Sequence, residues 1–104
     1  MIEKLYKTCE ALEKRFPGNR DPFRILARLM EESGELADQV HLREGVGRKR
    51  DSGRLPDDME LAKEIQQVLL AVLDIARYYG VEATLEERVN TGYDKAVSEG
   101  LIDR

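Results

Sequence analysis

The chain contains no tryptophan, one cysteine, one histidine and only three prolines in 104 residues. Each scarcity closes off a class of protein. A lone Cys9 cannot build an internal disulfide framework or a cysteine-based zinc site. It stands at helical spacing with Leu5 and Leu12 and reads as a small buried hydrophobe. A lone His41 has no companion for metal ligation, and nothing pairs it with Cys9 as a nucleophile. It reads as structural or solvent-facing. No serine elbow is present, because Ser33 has glycine on one side only. No run approaches the roughly 18 apolar residues of a membrane span. Met1-Ile2-Glu3-Lys4-Leu5 carries no signal-peptide apolar core, so the expected location is the cytoplasm. The basic excess of a nucleic-acid binder is also missing, since the net charge is −4.

What remains is a composition suited to helices. Charged residues make up 37% and hydrophobic ones 41%. The length predicts one domain, residues 1–104, with a modest core that gains from oligomerisation. Ile2, Leu5, Tyr6, Cys9, Leu12 and Phe16 recur at three- and four-residue steps and predict a first helix that stops at Pro17-Gly18-Asn19. Asp21-Pro22 opens a second, running to about Leu42, with an apolar arc of Ile25, Leu26, Leu29, Met30, Leu36, Ala37 and Val40. Arg43 to Leu55 reads as a polar loop with five basic residues (Arg43, Arg48, Lys49, Arg50, Arg54). It is longer than the usual two to eight residues between helices, and it serves either as a phosphate clamp or as a solvated linker. Asp57 and Glu60 occupy capping-box positions for a third helix ending at Gly80. Thr84-Leu85-Glu86-Glu87 is a second such box and opens a fourth helix, which Gly100 ends. The expected fold is all-α, a four-helix bundle-like domain completed by oligomerisation.

Chemistry concentrates in Glu31-Glu32-Ser33-Gly34-Glu35. At roughly 100° per residue, Glu31 and Glu35 lie about 40° apart and Glu32 about 60° from Glu35. Like charges that close destabilise a helix, and a hard divalent cation is one way to offset the cost. A solvated acidic face is the other reading. The apolar arc lies mostly opposite these acids, which favours the solvated face unless another helix covers that side. Asp38 joins the same sector. On the third helix Glu64 falls at the edge of the apolar face, with Glu60 and Asp74 near the same strip, and a carboxylate there calls for a partner or a metal. If the second and third helices pack side by side, Glu32 and Glu35 converge with Glu64. Such a site would hold Mg²⁺, with Mn²⁺ as an alternative, and receive phosphates.

The stretch Leu29 to Asp38 resembles the Glu-Glu-x-x-Glu helix of the MazG-like all-α nucleoside triphosphate pyrophosphohydrolases. Glu64-Ile65-Gln66-Gln67-Val68-Leu69-Leu70 resembles the family's second signature, Glu-x-x-Asp before an apolar run, and Ala76 to Val81 its helix end and turn. The resemblance covers Phe23 to Ala96. It implies a homodimer or homotetramer that hydrolyses a nucleoside triphosphate to monophosphate and pyrophosphate. It implies that Glu32, Glu35 and Glu64 are metal ligands and that Glu31 assists a second metal or orients the water. Gln67 stands where the family has aspartate and keeps only a neutral ligating oxygen. Asn90 matches the last helix, where Tyr93 replaces an expected basic residue. With Arg48, Lys49 and Arg50 from the loop, Asn90 completes the expected substrate contacts. Two other readings stay open: a binding homologue that has lost turnover through Gln67, and a structural helical module whose acids are surface charge.

Overall fold

The computed structural model describes residues 1–18 and 20–103. Among them every element is helical: α1 (Ile2–Arg15), α2 (Pro22–Arg43), α3 (Arg48–Asp51), α4 (Asp58–Tyr79) and α5 (Glu82–Ser98). Of the stop that ends the first helix, Asn19 lies outside the described residues. Among the described residues no helix is long and apolar enough to cross a membrane.

The two long helices start where their caps dictate. The Asp21 carboxylate accepts from the Phe23 N–H at 2.8 Å, with Pro22 at the first helical position. The Asp57 carboxylate accepts from the Met59 N–H at 2.9 Å. Gly80, at φ 65°, ends α4 in the left-handed region. That turn corrects the expected start of the last helix. The Val81 N–H bonds back to the Ala76 carbonyl at 2.9 Å while the Val81 carbonyl already accepts from Leu85. The chain therefore re-enters a helix at Glu82, and Thr84 lies inside the first turn instead of capping it. The long polar connection differs too. Gly47, at φ 91°, turns the chain into a single helical turn, Arg48–Asp51. A Cβ at Gly47 would come within 3.2 Å of the His41 Cβ, so His41 serves as a wall of this turn.

Helices α2 and α4 form an antiparallel pair. Arg28 meets Asp74 at one end, and Arg43 meets Asp58 at the other. Helix α1 lies parallel to α4: the Cys9 thiol donates to the Leu70 carbonyl at 3.4 Å, and further on Arg77 donates to Glu13 at 2.7 Å. Leu5, Cys9, Leu70 and Leu73 form the core between them, with Tyr6, Leu69 and Leu85 packed against it. Helix α3 packs on α2, and α5 on α4.

The face that α2 turns to α4 departs from the expectation. Ile25, Gln39 and Leu42 are its buried residues. Much of its apolar arc faces outward: Leu26, Ala37 and Val40 are exposed, and Met30 is 67% exposed. Polar residues thus occupy the middle of the helix–helix seam while hydrophobic ones face solvent. The fold is correspondingly flat, 45 × 45 × 21 Å, with a radius of gyration of 17.0 Å. A compact domain of this length measures about 13 Å.

One ion network holds α1 to the pair. Arg77 bridges Glu13 at 2.7 Å and Asp74 at 2.8 Å, Arg20 reaches Glu13 at 2.8 Å, and Arg28 reaches Asp74 at 3.3 Å. The bonds from Arg77 and Arg20 hold the Glu13 carboxyl below its ordinary range. Burial works against the Arg77 charge, yet Glu13 and Asp74 keep its pKa raised. Arg77→Met preserves much of the stem packing but removes the one residue that bridges both carboxylates, leaving Glu13 to Arg20 and Asp74 to Arg28. It is expected to destabilise the fold by about 2 kcal/mol in urea unfolding. A change below a few tenths of a kcal/mol would show that the network contributes nothing.

Candidate metal centre

The seam explains how three glutamates come together. Glu32 and Glu35 lie one turn apart on α2, on the side that faces α4. The antiparallel register set by Arg28–Asp74 and Arg43–Asp58 brings Glu64 between the two bridges, opposite them. One carboxylate oxygen from each of Glu32, Glu35 and Glu64 lies within 4.8 Å of the others. Glu64 is only 6% exposed, and its Oε2 has no hydrogen-bond partner among the described residues. Glu32 and Glu35 are partly buried. None of the ion pairs among the described residues involves these three acids.

Electrostatics follow from that geometry. Burial, and then the neighbouring carboxylates of Glu32 and Glu35, push the Glu64 carboxyl up from 4.5 to about 7. A buried carboxylate without a donor beside two others is costly, because each interacts through a poorly screening interior. A divalent cation removes the cost by supplying the missing positive charge. The donor set is all oxygen and all carboxylate, which suits Mg²⁺ or Mn²⁺ and not a soft metal. The residues present therefore fit such an ion, with the orphaned Glu64 oxygen as the internal evidence.

The chain matches no family model, no curated protein and no solved structure. The site is read from its own residues.

The other candidate residues take varied places. Glu31 is exposed and stands outside the group of three. Gln67, one turn after Glu64, is partly buried. Arg48 and Arg50 are exposed on α3, with Lys49 partly buried there. By helix rise, the end of α2 from which that turn departs lies about 12 Å from Glu35. Asn90 is exposed on α5, which packs only against α4 among the helices. Asp74, near Glu64 on a helical wheel, belongs instead to the arginine network, roughly 15 Å along the helix. The sequence reading missed two features. Gln39, one turn beyond Glu35, is only 4% exposed and continues the polar seam. Glu13, Arg20 and Arg28 join the ion network across many residues of sequence, where no local spacing signals the pairing.

The raised carboxyl has a measurable consequence without metal. Between pH 4.5 and about 7 the folded protein holds a proton on Glu64 that the unfolded chain has released. Stability should therefore fall as pH rises through that window and level off above it. Urea unfolding in a chelator should show this decline for the wild type and a flatter profile for Glu64→Gln. Stability rising for the wild type across the same window, with Glu64→Gln unchanged from it, would contradict the assignment.

Proposed function

We propose that the protein is a divalent-cation-dependent nucleoside triphosphate pyrophosphohydrolase of MazG-like type. Water adds to the α-phosphorus, the bond to the bridging α–β oxygen breaks, and a nucleoside monophosphate and pyrophosphate leave. The observation that carries this reading is the convergence of Glu32, Glu35 and Glu64 within 4.8 Å, with Glu64 buried and its Oε2 unpartnered. A buried carboxylate without a donor costs stability, and a bound cation would offset that cost.

Glu32, Glu35 and Glu64 would hold Mg²⁺ or Mn²⁺, which supplies polarisation of a phosphoryl group and acidification of a ligated water. The chain's own residues supply the rest. Glu31, adjacent and exposed, would orient an incoming water or assist a second ion. Gln67 offers an amide oxygen without charge. Three carboxylates carry −3, so one cation leaves −1, while two cations would leave an excess of positive charge for the phosphates to balance. Gln67 thus favours a one-ion resting site that gains a second ion only with the nucleotide. The basic turn Arg48-Lys49-Arg50 lies toward the α3 end of the seam and would take the β- and γ-phosphates. Asn90 would reach this site only from a second copy or after rearrangement of α5.

A homodimer or homotetramer is part of the same proposal. The outward stripe of α2 (Leu26, Met30, Ala37, Val40) and the exposed Ile65 and Val72 of α4 need a cover that the single chain does not provide. A second copy supplies one and completes the bundle.

With Mg²⁺ or Mn²⁺, the protein should release pyrophosphate from nucleoside triphosphates. Glu32→Gln, Glu35→Gln and Glu64→Gln should each lower kcat/KM at least 100-fold. Gln67→Asp should tighten Mn²⁺ binding in calorimetry. Monophosphate formed with single phosphates released would place the cleavage elsewhere. Nucleotide binding without turnover would favour the inactive homologue, in which Gln67 has cost the site its catalysis. No cation binding at millimolar Mg²⁺ or Mn²⁺ would leave only the structural module. For the assembly, sedimentation should give a dimer or tetramer mass, and Met30→Lys should shift it toward the monomer.

A further inference from the structure

A cavity of about 210 Å³ opens at the α1 end of the seam, lined by Cys9, Leu12, Glu13, Phe16, Arg20, Arg28 and Asp74. Resting on the pyrophosphohydrolase reading, we propose that this cavity is the nucleobase pocket of that site and that it selects a 6-oxopurine: guanine, hypoxanthine or xanthine.

Position makes the link. Arg28 precedes Glu32 by one turn on the same side of α2, about 6 Å by helix rise. The cavity therefore starts where a ribose attached to an α-phosphate at Glu32 would end. The basic turn α3 lies at the other end of the seam. A nucleoside triphosphate laid along the seam has its phosphate tail toward α3 and its base toward Arg28.

Size and charge then choose between a base and a phosphate as occupant. Ligand pockets for whole small molecules run to about 300–1,000 Å³, so this cavity takes one ring system and not a nucleotide. Its lining charges balance, with Arg20 and Arg28 against Glu13 and Asp74, and Arg77 behind both carboxylates leaves the cluster only one positive charge in excess. Cys9, Leu12 and Phe16 give it apolar walls, which favour a flat aromatic ring and penalise an anion.

The spare hydrogen-bonding capacity is mostly donor. Asp74 accepts from Arg77 and Arg28, and Glu13 accepts from Arg77 and Arg20. Each guanidinium carries five N–H donors in a fixed fork. Such a fork matches two adjacent acceptors, and in a 6-oxopurine O6 and N7 are adjacent on one edge. Adenine presents an amino group in place of O6; cytosine has an adjacent acceptor pair in O2 and N3, but its single ring fills less of the cavity than a purine. Arg28 is the residue free to turn toward the base. Its bond to Asp74 is the longer one, at 3.3 Å, and Asp74 keeps Arg77 at 2.8 Å when Arg28 leaves.

Two measurements test this separately from turnover. In the first, guanosine monophosphate and adenosine monophosphate are titrated into the ¹⁵N-labelled protein. Guanosine monophosphate should shift the amides of Leu12, Glu13 and Phe16, and adenosine monophosphate at least tenfold more weakly. Equal shifts for both, shifts confined to Arg48–Arg50, or none would overturn the pocket even if hydrolysis is found. In the second, kcat/KM is compared for the triphosphates of guanosine, inosine, adenosine and cytidine. The two oxopurines should be favoured at least tenfold, and Arg28→Met should remove the preference. Leu12→Phe, which fills the cavity and leaves every ion pair intact, should also remove it. Hydrolysis with no base preference, or a preference that survives both variants, would overturn the inference and leave the hydrolase standing. Selective shifts at Leu12–Phe16 without any pyrophosphate release would support the pocket and sink the hydrolase.

Discussion

The constraint on which the rest of this structure depends is a negative charge in the wrong place. Glu64 sits in the seam between α2 and α4, 6% exposed, facing two more carboxylates and no cation. A hydrophobic residue there would zip the two helices together. The glutamate instead sets carboxylates against one another at mid-length, and the ion pairs between the two helices lie toward their ends. There the chain places one arginine–aspartate bridge on each side, Arg28–Asp74 and Arg43–Asp58. They hold two helices across a repulsive centre, and neither lies close enough in the seam to neutralise it. The site survives as an unquenched cluster because its natural counterions within the chain are committed elsewhere.

The same constraint accounts for how much could be read from residues alone. Local signals carried far. Asp21-Pro22, Asp57 and Gly80 set the ends of the two long helices because capping is a matter of a few adjacent atoms. The convergence of Glu32, Glu35 and Glu64 followed from assuming that consecutive long helices pack side by side. The packing face of α2 was illegible for a definite reason. A helical wheel assigns the inside to the apolar arc, and here Leu26, Met30 and Val40 face out while Gln39 and the glutamates face in. That inversion breaks the rule by which burial is inferred. The arginine network was out of reach for another reason. Its partners sit up to 64 residues apart, and no periodicity connects Glu13 to Arg77.

Asp74 illustrates how similar residues on one helix diverge by environment. On α4 it is another acid, on roughly the side of Glu64. It is satisfied by Arg77 and Arg28, and it ties elements together. Glu64 receives no donor and is driven toward its protonated form by burial and by Glu32 and Glu35. Ten residues of helix separate a carboxylate held by arginines from one with no donor. The arginines make the difference, since they reach the α1 end of the seam and stop short of its middle.

The outward apolar stripe and the inward acids are two sides of one economy in a short chain. With about a hundred residues there is one long helical pair, and its seam can serve either as core or as site. Here the middle of the seam is given to the acids, and hydrophobic surface that could have formed the core lies on the outside. Among the described residues no large side chain is fully buried in the single chain, although Leu26, Met30, Ile65 and Val72 present ample apolar surface. A second copy laid against that surface would bury it without touching the carboxylates, because Glu32 and Glu35 point away from it across the helix. The site in the seam and the association on the far side are then physically independent in position and coupled in stability. In such an assembly, loosening the outer contact would remove apolar burial that offsets the repulsion within.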